Sequence, residues 1–149
     1  MAKYTGKFKP LNSMKYQGNV KNIVYRSFLE FKFMRYLDKH PSVTKWSSEE
    51  LYVPYRDPIS GRMRRYFPDN LIEKQSANGD KSIVMIEVKP DKQTRPPKRG
   101  KTKKSTKRFL RETATWCVNE AKWTAAKVYC KKRGWKFQII TERDLGIKY

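Results

Sequence analysis

The chain has 149 residues, which is enough for a single domain with a hydrophobic core. Its 35 Lys and Arg residues against 14 Asp and Glu give a net charge of +21 and a pI near 10.1, which favours a polyanionic partner, most often nucleic acid. No apolar run is long enough to span a bilayer, so we expect no membrane association, and the two cysteines have the spacing of neither a metal site nor a disulfide framework.

Residues 1–20 are basic and contain no acidic residue, and their apolar residues are too sparse for a stable helix. Two interpretations stay open for this segment. It is either an extended basic arm that becomes ordered on a partner or a solvated tail. The remaining residues, 21–149, form the predicted globular domain.

The pattern predicts the first helix over Ile23–Lys39, with apolar residues on more than one face and therefore largely buried. Glu30 lies inside this apolar run, and a buried glutamate needs a partner. Arg26, one turn earlier, could supply an ion pair. Alternatively, Glu30 points at the carboxylates of the strands described next.

Two strands are predicted after this helix. The first covers Leu51–Tyr55, and after a turn over 56–61 the second covers Arg62–Ile72. Pro68 removes a backbone donor directly before Asp69, which predicts a bulge or a strand edge at that point.

The third predicted strand, Ser82–Val88, is apolar and β-branched but carries Glu87 near its end, followed by Lys89. The turn 76–80 contains Asn78-Gly79, a strong hairpin signal. If the hairpin is centred near Asn78, Asp69 and Glu87 face each other with Cβ atoms about 5 Å apart. Two such carboxylates repel unless a cation lies between them, and Mg²⁺ suits carboxylate ligands. A solvated surface or a structural ion pair is the simpler alternative.

The most basic stretch, Lys89–Arg111, holds eleven Lys and Arg residues against Asp91 alone. Its prolines predict a non-helical loop over 90–104, which lies beside the carboxylates and is expected to hold phosphates. A helical pattern begins at Ser105, with a break predicted near Asn119, and Gly134 ends it. Trp116 and Trp123 are interpreted as packing residues rather than base-stacking residues.

The last predicted strand is Trp135–Thr141, and its connection through a helix predicts pairing parallel to a strand already in the sheet. The predicted fold class is therefore α/β, a single domain with a mixed sheet and the order helix, three strands, helix, strand. This order and four residues resemble the PD-(D/E)XK nuclease superfamily, the restriction-endonuclease-like fold. The superfamily has an acid on the first helix, an Asp after Pro and then Glu-x-Lys, matched by Glu30, Asp69, Glu87 and Lys89.

Over nearly its whole length the chain also resembles the head completion nucleases of large tailed bacteriophages. The similar segments are 25–27 with Glu30, 64–67, 86–90, 116–119, 122–123 and 133–134. This resemblance implies a metal-dependent DNA endonuclease that acts in head completion before tail attachment. It also implies contacts with portal or neck proteins of the capsid and a location in the host cytoplasm during assembly or in the virion.

The resemblance further implies a role for each site residue. Asp69, Glu87 and the Val88 carbonyl would bind Mg²⁺, with Mn²⁺ as a substitute; Lys89 would orient or deprotonate the attacking water; and Glu30 would bind a second metal or order water. DNA binding would be mainly sequence-independent, through Arg26, Arg64, Arg65, Lys92, Arg95, Lys98, Arg99, Lys101, Lys103 and Lys104. The alternatives are a non-catalytic DNA-binding head or neck protein with a nuclease fold and an RNA-binding structural protein, which the clustered carboxylates disfavour.

Overall fold

The computed structural model describes residues 4–146, the side chains of 103–105 excepted. The helices are α1 (Phe28–Lys39) and α2 (Lys103–Arg133). The strands are β1 (Gly6–Lys7), β2 (Val24–Tyr25), β3 (Val43–Ser48), β4 (Val53–Arg56), β5 (Met63–Tyr66), β6 (Asn70–Gln75), β7 (Lys81–Val88) and β8 (Lys136–Ile140). Short 3₁₀ turns cover Ser13–Lys15, Val20–Asn22 and Asp91–Thr94.

The centre of the molecule is a four-stranded mixed sheet in the order β3-β6-β7-β8. The β3–β6 and β6–β7 pairs are antiparallel, whereas β8 pairs parallel to β7 after the chain has crossed over through α2. The prediction of a final strand parallel to one already present is therefore confirmed, as is the mixed α/β class.

A hydrophobic core lies on each face of this sheet, because side chains of β7 alternate between the faces. Val84, Ile86 and Val88 pack with α1 and the N-terminal segment on one face. Met85 points to the other face and packs with α2 and with the hairpin formed by β4 and β5. Glu87 has the same alternation as Met85, so it belongs to the face covered by α2.

Helix α1 begins at Phe28 instead of at Ile23, because Ser27 adopts an extended conformation and its Oγ accepts the Glu30 N–H at 3.1 Å. The residues predicted to start the helix form β2, which pairs with β1. The helix ends before Pro41, which restricts His40 to the extended conformation observed there.

The interpretation of the first twenty residues as an extended arm or a solvated tail is wrong over residues 4–20. Phe8 and Tyr16 are buried and belong to the core that α1 shares with the sheet. Lys15 Nζ donates to the carbonyls of Leu37, Asp38 and His40 at 2.7–3.0 Å and so caps the end of α1. Hydrophobic burial and this cap hold the segment on the domain.

Two strand predictions need correction. One edge strand of the sheet is β3, which the sequence pattern did not indicate, whereas the predicted strand at Leu51–Tyr55 corresponds to β4 of a separate hairpin. The predicted strand Arg62–Ile72 is split at Pro68 into β5 and β6, which belong to different sheets. Pro68 has no N–H for a ladder, so the chain leaves one sheet and enters the other at this residue.

Helix α2 is continuous, and the predicted break at Asn119 is wrong. The helix starts at Lys103, two residues before the predicted start, and Gly134 ends it with a φ of +72°. Buried Trp123, Ala126 and Cys130 hold the helix against the sheet. Among the described residues no helix is both long and apolar enough to cross a membrane.

Candidate active site

The β6–β7 hairpin brings Asp69 and Glu87 together. Its register pairs Asn70 with Ile86 and Gln75 with Lys81, and one step beyond Asn70 the same register sets Asp69 opposite Glu87. The turn at Ser76–Asp80, with Gly79 at φ +90°, fixes this register as the Asn-Gly signal predicts. The predicted juxtaposition of the two acids across adjacent strands is confirmed.

Asp69 lies in an environment that disfavours its charge. Burial raises the pKa of this carboxyl well above its usual range, and the charge of Glu87 and a hydrogen bond between the two carboxyl groups raise it further. The Val88 N–H opposes this effect by donating to Asp69 Oδ2 at 2.7 Å. Without a cation, the pair therefore favours a proton on Asp69 at pH values where an ordinary aspartate is ionised.

Tyr66 is a site residue that sequence reasoning missed. Its buried hydroxyl donates to Glu87 Oε2, and burial followed by the charge of Glu87 raises the pKa of the phenol, so it remains a donor. Lys122 of α2 lies above it, with Nζ 5.7 Å from the centre of the Tyr66 ring. Tyr66 belongs to the β4–β5 hairpin, and the change of sheet at Pro68 places its hydroxyl against Glu87. No local sequence pattern predicts this contact.

Glu30 lies in the first turn of α1, and its side chain reaches back to the residue before the N-cap Ser27. Glu30 Oε2 accepts the backbone N–H of Arg26 at 2.6 Å, so the contact between these two residues is a cap and not the alternative ion pair. Burial raises the pKa of Glu30, and the charges of Glu49 and Glu87 add to this effect. The charge of Glu30 in turn raises the pKa of Asp69, so the three acids share one electrostatic environment.

Glu49 is a second acid that the sequence reasoning did not single out. It directly follows β3, and the β3–β6 register continued by one residue aligns it with Asp69. Its φ of 53° is left-handed, which is uncommon for a glutamate. Arg26, predicted to bind DNA, instead forms an ion pair with Glu49. Glu49 and Glu50 stand out in the sequence as an acidic pair, but the sequence pattern did not indicate the strand that they follow.

Lys89 directly follows β7, and its backbone N–H donates to the Ile140 carbonyl at 2.9 Å. Within the described part of the chain its side chain has no ion pair or hydrogen bond, so its ammonium group is available to a ligand. Val88 is buried between Glu87 and Lys89, and the N–H that it donates to Asp69 orients that carboxylate.

The donor set fits a hard cation such as Mg²⁺. Asp69 and Glu87 have no ion pair with any described residue, and the proton-sharing contact between them is one that a divalent cation would replace. No group of three or more His, Cys, Asp or Glu side chains in residues 4–146 is close enough to hold a metal ion alone. Glu30 belongs to the helix on the opposite face, which explains why it approaches the pair without joining it.

The other predicted DNA-binding residues lie on β5, in the basic loop and at the start of α2. Arg64 pairs with Asp57 at 2.9 Å, and the Arg65 guanidinium lies over the Tyr52 ring at 4.9 Å; both are exposed on β5. The loop residues Lys92, Arg95 and Lys98 line a groove against α2, with Arg99 and Lys101 exposed beyond them. The side chains of Lys103 and Lys104 lie outside the described part.

Comparisons with known proteins place the chain in a family. Residues 40–142 match the family model described as the TnsA-like endonuclease N-terminal domain. The chain is 43% identical over 150 positions to the head completion nuclease of Enterobacteria phage T4, and the match covers 97% of each chain. No solved structure gives a significant match.

Proposed function

Because this chain belongs to the family of phage head completion nucleases and carries a TnsA-like endonuclease domain of the restriction-endonuclease-like superfamily, we propose that it hydrolyses phosphodiester bonds of DNA with Mg²⁺ held by Asp69 and Glu87. The single observation that supports the proposal is that Asp69 and Glu87 face each other without an ion pair to any described Lys or Arg, while the nearby Lys89 side chain is itself unpaired.

A protein that only binds DNA gains nothing from this arrangement. Unpaired carboxylates on the DNA-facing side repel phosphate, and buried charges can usually be replaced by apolar residues without loss of stability. Glu87 is 7% exposed and Asp69 has a raised pKa, so both sites carry an electrostatic cost in the absence of a ligand. A divalent cation removes this cost and at the same time attracts a phosphate. The non-catalytic alternative offers no such explanation.

Each site residue has its own role at the scissile phosphate. Asp69 and Glu87, with the Val88 carbonyl, would hold Mg²⁺, which when bound polarises the phosphate and lowers the pKa of water. Lys89 would orient the attacking water and offset charge on the phosphate. Tyr66 fixes Glu87 through its hydroxyl, and Glu30 would order water or a second cation from the α1 side.

Nicking of supercoiled plasmid DNA, with Mg²⁺ or with EDTA, tests the proposal. We expect nicking by the wild-type protein with Mg²⁺ or Mn²⁺, and none with EDTA. Asp69→Asn and Glu87→Gln should abolish nicking while DNA affinity stays similar or rises, because a negative charge facing phosphate is removed. Lys89→Ala should abolish nicking with the metal still bound.

A matched control is Glu120→Gln, which removes one exposed carboxylate from α2. This variant should nick like the wild type. Full nicking activity in either Asp69→Asn or Glu87→Gln would show that the carboxylate pair is not the active site.

The biological role follows from the family. We propose that the enzyme acts on packaged DNA during head completion, before tail attachment, and contacts portal or neck proteins of the capsid. Co-purification of the protein with filled, tailless heads tests this assignment, and its absence from such heads at all stages would refute it.

A further inference from the structure

A groove of about 810 Å³ lies between the basic loop and the first half of α2. One wall is formed by residues 92–98 and the other by residues 108–119. Its volume falls in the range of pockets that bind small organic ligands, which is about 300–1,000 Å³. Neither the carboxylates nor Lys89 lines it, so it is a feature separate from the proposed catalytic pair.

The loop wall is held in place by the chain segment that follows β8. The backbone N–H of Asp91 donates to both carboxylate oxygens of Glu142, at 2.9 and 3.0 Å. The Asp91 carboxylate then pairs with Arg95 at 2.7 Å and Arg143 at 3.3 Å. These contacts fix the start of the loop against the segment that follows β8.

Asn119 lies at the helix wall with its amide unused. The residue is 8% exposed and lines the groove, yet its side chain makes no hydrogen bond to any described residue. The enclosed side-chain polar atoms without a partner among the described residues are Trp46 Nε1 and Trp123 Nε1, so the Asn119 amide is reached by solvent in the groove and is open to a ligand. An amide carries donors and an acceptor side by side, which matches the edge of a nucleobase; pairing with adenine N6 and N7 is one example.

Trp116 is one helical turn before Asn119 and lines the same groove. Its ring packs edge-to-face on the buried Trp123, with 5.8 Å between ring centres, so its orientation is fixed. The expectation that both tryptophans serve in packing is confirmed, because Trp123 is 6% exposed and the half-buried Trp116 packs against the same core; Trp116 also lines the groove. A fixed aromatic ring beside a free amide is suited to stack a base.

The groove is strongly positive. Five Lys and Arg residues line it, and Glu112, the one acidic side chain among the lining residues, is already paired with Arg108 at 3.1 Å. Lys92, Lys98 and Arg111 have no ion pair with a described residue. These three cations are therefore available to phosphate oxygens at the rim.

We propose that this groove binds an unpaired nucleotide of the DNA substrate. The base stacks against Trp116, its edge bonds to the Asn119 amide, and Lys92, Lys98 and Arg111 hold the adjoining phosphates. A base inside a duplex is stacked on its neighbours and cannot reach a recessed ring, so the nucleotide must be single-stranded or extruded. This inference rests on the proposed DNA endonuclease function and adds a substrate class: DNA with unpaired nucleotides near the cut.

The groove is placed to act together with the catalytic pair. Lys92 is three residues after Lys89, so their Cα atoms are at most about 11 Å apart. Helix α2 covers the sheet face that carries Glu87, so both features share one side of the molecule. A strand that crosses the carboxylates can therefore place a neighbouring nucleotide in the groove.

The test uses full-length Glu87→Gln protein in EDTA, so that binding is measured without cleavage. The probes are a blunt duplex and the same duplex with a single-stranded overhang containing 2-aminopurine, whose fluorescence falls when the base stacks. We expect quenching and an affinity about tenfold higher for the overhang, which corresponds to about 1.4 kcal/mol. Asn119→Ala and Trp116→Leu should each remove most of this preference, and Trp116→Phe should retain it.

Thr124→Ala, an exposed change on the same helix, is the control and should keep the preference. Thermal melting checks folding; if Trp116→Leu does not fold, Asn119→Ala carries the test. Equal affinity for the two duplexes, or a preference that survives Asn119→Ala, would overturn the proposal. So would displacement of the overhang by inorganic phosphate as readily as by a nucleoside monophosphate, since the groove would then bind an anion only. Plasmid nicking by the wild type tests the endonuclease function separately, so a failure of the groove proposal can be told apart from a failure of the endonuclease proposal.

Discussion

Thermal unfolding with and without Mg²⁺ examines the carboxylate pair independently of catalysis. A ligand that binds the native state at 100 times its Kd stabilises that state by about 2.7 kcal/mol. For 149 residues the unfolding entropy is about 0.3 kcal/mol/K, so the Tm should rise by about 9 °C. Asp69→Asn should abolish most of this rise, because the cation is left with one of its two carboxylates. Glu120→Gln should keep it.

The free energy of unfolding, measured in EDTA and in Mg²⁺, should also depend on pH. The native pKa of Asp69 is raised by burial and by Glu87, so between the ordinary carboxyl pKa and this raised value the native state holds a proton that the unfolded chain has released. In EDTA, the free energy of unfolding should therefore fall as pH rises through this window. In Asp69→Asn the fall should be smaller, with Glu30 contributing a residual slope of the same sign.

Mg²⁺ takes the place of that proton, so the gain in Tm should increase with pH across the window. Differential scanning calorimetry at several pH values, in EDTA and in Mg²⁺, provides the measurement. A Tm gain of the same size in Asp69→Asn and wild-type protein would refute the assignment of Asp69 as a ligand. Identical pH slopes of the two proteins in EDTA would refute the raised pKa.

Three further predictions concern DNA binding, stability and biological role. Changing the unpaired loop cations to Gln should reduce the slope of log affinity against log salt concentration by about 0.9 for each phosphate that is no longer neutralised. These cations are Lys92, Lys98, Arg99 and Lys101. Fluorescence anisotropy measures the slope, and an unchanged slope would show that the loop does not bind DNA. Phe8→Ala should cost about 3–5 kcal/mol in urea unfolding because Phe8 is a core residue, whereas the exposed Leu11→Ala should cost little, and equal costs would contradict the packing of the N-terminal segment. Lys89→Ala should fold and bind DNA but fail to complement a phage lacking this protein, and restoration of full titre would make the essential role structural.

The sequence was sufficient for the parts of the site that depend on short-range chemistry. Asn78-Gly79 sets the turn, the turn sets the register, and the register places Asp69 opposite Glu87. The parallel final strand followed from the connection through a helix. Each of these inferences uses residues close together in the chain or a rule that few topologies can break.

The missed features depend on contacts between distant residues. Strand β3 has the polar sequence VTKWSS, with no clean alternation, and exists because β6 offers it a partner. Asn119 looked like a helix break because its intrinsic propensity is low, but packing of Trp123 and Cys130 keeps the helix continuous through it. Phe8 is the one phenylalanine in the basic segment 1–20, and only its contacts with the core of the domain give it a structural role.

The proposed chemistry and the proposed substrate preference rest on different kinds of structure. The carboxylate pair is built into one hairpin, in which a slip of one residue would move Asp69 to the face that packs on α1 and destroy the site. The groove has no such constraint, because its walls are a loop and a helix that take no part in the pairing of the strands. Changes at Asn119 or in residues 92–98 can therefore alter which DNA is bound without disturbing the register. Among endonucleases built on this domain, we expect substrate preference to vary through these walls while the hairpin keeps its length and its turn.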